Sequence, residues 1–117
     1  MRGDDIADRL VDFAVRIFKL CARLDKPDTV KYIRHQLFRS ATSVGANYEE
    51  ARGAESKADF IHKMGVAYKE MRETIYWLKF IRRSELIPET KLNDLNNEAE
   101  EINAILIKSL KTARSRK

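Results

Sequence analysis

The sequence predicts an all-α protein, an antiparallel up-down-up-down four-helix bundle, and three observations predict it. Apolar residues recur at spacings of three and four in four separate runs. Four Gly and two Pro leave few breaks in 117 residues, a composition that leans helical. The connections between the runs are short, which sets each helix against the last. A chain of this length forms a single domain, residues 1–117, with room for a real core. The sequence shows no internal repeat, no low-complexity linker and no strand-like alternation.

The first run, Ile6, Leu10, Phe13, Ile17, Leu20 and Leu24, predicts a helix over about residues 5–24 that Pro27 brings to an end. The second, Val30, Ile33, Leu37, Ala41, Val44, Tyr48 and Ala51, predicts one over about 28–53, ending at Gly53 as a C-terminal glycine can. The third, Phe60, Met64, Ala67, Met71, Leu78 and Ile81, covers about 56–84, with Ser56 as N-cap and Asp59 three residues on. The fourth, Leu92, Leu95, Ala99, Ile102, Leu106 and Leu110, covers about 89–113 and is entered through Pro88. A basic tail, 114–117, follows.

The stretch SATSVGANYEEARG, Ser40 to Gly53, has the composition of a loop, but the second apolar run passes through it unbroken. It lacks the Gly-Lys-Ser/Thr ending of a phosphate-binding loop. As helix it is costly: Gly45 alone forfeits roughly 1 kcal/mol relative to Ala. One position back from each core residue lies a polar stripe, Gln36, Ser40, Ser43, Asn47 and Glu50, with small groups at its centre. With Gly45 it reads as a surface for close helix packing, where a methyl on Gly45 would meet a neighbouring helix. A polar ligand site is the alternative.

QLFRSATSVGANYEEA, from Gln36 to Ala51, and the segment Ser56 to Ile87 carry a resemblance. Gln36, Arg39, Ser43, Asn47 and Glu50, then Ser56-Lys57-x-x-Phe60 and the pair Trp77-Leu78, resemble the bacterial four-helix-bundle family encoded in intervening sequences of 23S ribosomal RNA genes. The chain departs at Gly45-Ala46, where many members have Pro-Ser. The resemblance implies a left-handed bundle, a ring-shaped homopentamer and, as the usual conjecture, nucleic-acid binding. A related branch serves as the accessory protein of diversity-generating retroelements.

No catalytic constellation is legible, and the chain is expected not to be an enzyme. His35 and His62 fall on different predicted helices. Asp59 and His62 would be half of a bundle metal site, but a di-iron bundle needs two Glu-x-x-His pairs. No metal and no cofactor are expected. Cys21 lies near the apolar face of the first helix and reads as a small core residue. As the single cysteine it allows no intrachain disulfide. With no membrane-length apolar run and no signal peptide, a cytoplasmic protein with no membrane partner is expected. The acid run Glu98 to Glu101 reads as a solvated face.

The third helix presents two further faces. Val66, Trp77 and Phe80 lie off its core stripe, beside Glu70 and Glu73, and predict a subunit interface. Packing of Trp77 under a loop or a chain end is the alternative. Lys69, Arg72, Tyr76, Lys79 and Arg83 form a third stripe that could follow a phosphate backbone, with Tyr76 stacking on a base. Otherwise it is a solvated cationic face neutralised by Glu70 and Glu73. The net charge of +5 and the five cations in KSLKTARSRK fit either reading. The expected function is thus non-enzymatic: a homo-oligomer, by resemblance a pentamer, that binds RNA or DNA non-specifically through basic surfaces. A protein-interaction scaffold with no direct nucleic-acid contact is the alternative.

Overall fold

Local chemistry changes where each helix begins and ends. The computed structural model describes residues 3–116, which form α1 (Gly3–Cys21), α2 (Val30–Arg52), α3 (Lys57–Arg83) and α4 (Glu89–Ser115). Asp4 and Asp5 in the first turn of α1 and Lys19 in its last complement the helix dipole. This helix stops at Cys21, short of the expected residue 24. Leu24 is buried all the same, because the turn after Cys21 folds it inward. At α3, Ser56 Oγ accepts from the Asp59 amide at 3.0 Å, closing the predicted cap. Gly53 ends α2 by donating to the Glu49 carbonyl at φ −93°, so the left-handed freedom of glycine is not used. In the α3–α4 turn Glu85 adopts φ 59° and Ile87 is buried.

The expected tail at 114–117 is corrected. Helix α4 runs on to Ser115, so Arg114 joins Lys108 and Lys111 on the helix. Lys117 lies outside the described residues.

The contacts between helices pair early residues with late ones. Arg52 reaches Asp4 at one end of α1–α2, and the Cys21 thiol points at the Arg34 carbonyl near the other. Lys63 meets Glu50 at 2.8 Å in α2–α3, and Arg82 meets Asn93 at 3.1 Å in α3–α4. Arg9 closes α1 against α4 by donating twice to Glu98, each time at 2.7 Å, and once to Glu101 at 2.6 Å. The acid run is therefore not simply a solvated face. Two of its carboxylates hold the seam between the first and last helices.

The resulting four-helix bundle is a rod of 50 × 22 × 21 Å with a continuous apolar core. The four predicted runs supply nearly all of it. Ile33 and Phe60, each in the first turn of its helix, are only half-buried, because they sit where the bundle ends. The sevenfold gap between Met71 and Leu78 is filled by Thr74, which is completely buried.

Candidate nucleic-acid interface

The α2–α3 seam is polar at its centre. Ser40 is fully buried, and Thr74 Oγ1 lies 2.9 Å from its hydroxyl. Thr74 donates across the seam, and Ser40 passes its own proton to the Leu37 carbonyl at 3.2 Å. Gln36 accepts from Arg39 at 3.2 Å, and Glu50 receives Lys63 from α3. Ser43 and Asn47 instead bond back along their own helix, to the carbonyls of Arg39 and Ser43. Gly45 faces α1 rather than this seam, and a methyl there would meet that helix without crowding it. A Cβ at Gly45 would lie 3.6 Å from Leu10 Cβ of α1, an ordinary contact.

Arg39 spans the same seam. Its guanidinium donates to Glu70 at 2.9 Å and to Glu73. Burial alone would raise the Glu73 carboxyl, but the hydrogen bonds from Arg39 and from Trp77 Nε1 outweigh it and hold the carboxyl below its usual range. Glu70 and Glu73 are thereby committed to α2. Neither forms an ion pair with a cation of the basic stripe of α3.

That stripe stands open. Lys69, Arg72, Tyr76, Lys79 and Arg83 are all exposed, Tyr76 at 56%. Among the described residues none of the four cations has a carboxylate oxygen within 4.0 Å, whereas Arg9, Lys31, Arg39, Arg52 and Lys63 each have one. Arg72 is steadied by Tyr68, whose hydroxyl lies 3.4 Å from Nη1. A groove of about 320 Å³ between α3 and α4 opens on the same face, between Arg72, Ile75, Tyr76 and Lys79 on one side and Glu100 and Asn103 on the other.

Trp77 sits within an aromatic group rather than under a loop or a chain end. Its ring is half-buried, with Tyr32 of α2 at 6.0 Å, Tyr76 at 4.9 Å and Phe80 at 6.1 Å, all near edge-on. Phe80 is exposed and Val66 half-buried. A second apolar patch lies on α1 and α2: Val11, Val15, Phe18 and Phe38 are all exposed, with Phe18 and Phe38 5.9 Å apart. It borders a groove of about 460 Å³ floored by Ala14 and Ala46. Its sequence signal is present, since Val11, Val15 and Phe18 keep helical spacing one step beyond Leu10 and Ile17.

The remaining reactive groups are placed quietly. Cys21 is buried, and burial pushes its thiol up to about 11 despite the nearby Arg34, which leaves little thiolate at neutral pH. His35 and His62 are both exposed. Among the described residues no three His, Cys, Asp or Glu side chains gather where a metal ion could be held. No helix among them is long and apolar enough to cross a membrane.

The fold and its charged seam define the class, a helical-bundle protein of four α-helices. Within that class the chain belongs to the family of 23S rRNA-intervening sequence proteins, whose family model matches residues 4–108. It is similar to a crystal structure from Bacteroides thetaiotaomicron VPI-5482, a protein with unknown function from the S23 ribosomal protein family. The identity is 42%, over 91% of this chain and 98% of that one, with a TM-score of 0.85. Among curated proteins none matches the chain.

Proposed function

We propose that the protein is a non-enzymatic, cytoplasmic homo-oligomer that binds RNA or DNA through the basic face of α3. One observation carries the reading: four cations and an exposed tyrosine share one helix face, and the carboxylates beside them in sequence are engaged by Arg39 on the adjacent face. From Lys69 to Arg83 the stripe is about 21 Å long, enough to follow several phosphates. Contacts of this kind go mainly to the backbone, so affinity depends little on sequence overall.

The two apolar patches support assembly. They lie on different faces, α1–α2 and α2–α3, and their compositions differ, aliphatic with Phe on one and aromatic on the other. Unlike patches that meet head to tail form a heterologous interface, the type that closes into rings. A ring repeats the α3 stripe once per subunit and strengthens the local field. Five subunits is the number the family resemblance implies.

Fluorescence anisotropy with labelled single- and double-stranded RNA and DNA at low salt tests the reading. The wild type is expected to bind all four, and Arg72→Glu with Lys79→Glu to weaken them alike. No binding at low salt overturns it in favour of a protein-interaction scaffold built on the α1–α2 groove.

A further inference from the structure

The α3–α4 groove holds more than phosphate-binding charge. We propose that it is a guanine-preferring pocket for one unpaired nucleotide of a bound single strand, an inference that rests on the nucleic-acid reading above.

Arg72, Ile75, Tyr76 and Lys79 fall at spacings of three and four on α3, so they share one wall. Glu100 and Asn103, three apart on α4, form the other. The volume of about 320 Å³ suits a single nucleoside, not a duplex. Tyr76 offers an exposed ring whose flank is held by the edge contact with Trp77 at 4.9 Å. A ring already held in place loses little freedom when a base stacks on it. Arg72 and Lys79, one turn to either side of Tyr76, are placed for the phosphates flanking that base.

Glu100 selects the base. A carboxylate only accepts hydrogen bonds, and it accepts two in parallel. It has no cation within 4.0 Å among the described residues. Guanine presents two adjacent N–H donors, N1–H and the 2-amino group, on its Watson–Crick edge. Adenine and cytosine present one amino group beside an acceptor nitrogen, and uracil one N–H between two carbonyls, so each sets a lone pair against the carboxylate. Asn103 lines the groove beside Glu100, and its amide oxygen is buried without a hydrogen-bond partner.

The test uses the full chain and four labelled ten-nucleotide RNAs, oligouridine and its variants with one central G, A or C. The G-containing strand is expected to bind about tenfold more tightly than the others, the discrimination of one good bidentate pair. Glu100→Gln, an exposed and conservative change, should reduce that ratio to near one while slightly tightening oligouridine, because a charge that repels phosphate is lost. Tyr76→Ala should weaken all four. Equal binding of the four strands, or a preference that survives Glu100→Gln, overturns the pocket and leaves the phosphate-binding face standing. Failure of every strand to bind at low salt overturns both.

Discussion

Thr74 of α3 donates a hydrogen bond to Ser40 of α2 at 2.9 Å, between two side chains that are both completely buried. Each also has a carbonyl of its own helix in reach, Glu70 for Thr74 and Leu37 for Ser40, so neither hydroxyl depends wholly on the other. Thr74→Val keeps the volume and leaves Ser40 bonded to Leu37. It should cost about 1 kcal/mol in urea unfolding, the net worth of one hydrogen bond. Thr74→Ala, which also opens a small cavity, should cost more. No loss of stability in Thr74→Val would mean that the hydrogen bond contributes nothing measurable.

Gly45→Ala should stabilise by up to about 1 kcal/mol, since Ala is the better helix former and the new methyl makes an ordinary contact with Leu10. Thermal unfolding checks it. A lower melting temperature would show that another chain approaches the α1–α2 face more closely than Leu10 does.

The Arg9–Glu98 pair gives a pH dependence with a defined sign. Hydrogen bonds from Arg9 outweigh burial and hold the Glu98 carboxyl below its ordinary 4.5. A depressed carboxyl stabilises the fold above its unfolded value and loses that contribution as pH falls through the folded one. Glu98→Gln should therefore lower stability at pH 7 by about 1 kcal/mol and flatten the decline below pH 4.5. Melting curves from pH 7 to about pH 3 decide it; an unchanged acid slope would remove Glu98 from the account.

Most of the fold was legible because a four-helix bundle buries one stripe per helix, and the stripe is a periodicity of the sequence. Periodicity does not say how two helices are rotated against each other. That is why the engagement of Glu70 and Glu73 by Arg39, and of Glu98 by Arg9, had to come from the structure. Thr74 went unread for a related reason: a polar residue fills a core position only when the facing helix supplies a partner, and Ser40 does. Val11, Val15 and Phe18 were legible in principle, but a stripe one step from the core run is easily absorbed into it.

Assembly through the two apolar patches makes Phe18 and Phe80 the informative positions, since both are exposed and neither is needed for the core. Trp77 is less clean, because its ring also holds Tyr32 within the chain. Phe18→Glu and Phe80→Glu should each reduce the mass by light scattering while leaving the helical circular dichroism intact. A wild type that is monomeric at tens of micromolar, roughly where a moderate interface fills, contradicts the assembly.

The central claim, that the open cations of α3 bind phosphates, is tested most directly by the salt dependence of single-stranded RNA affinity. For the wild type, log affinity should fall linearly with log salt. Each phosphate neutralised contributes about 0.7 to the slope for a single strand, so Arg72→Glu with Lys79→Glu should make the slope shallower by about 1.4 or more. Parallel lines for the two proteins would contradict the account, because the cations that carry it would then release no counterions.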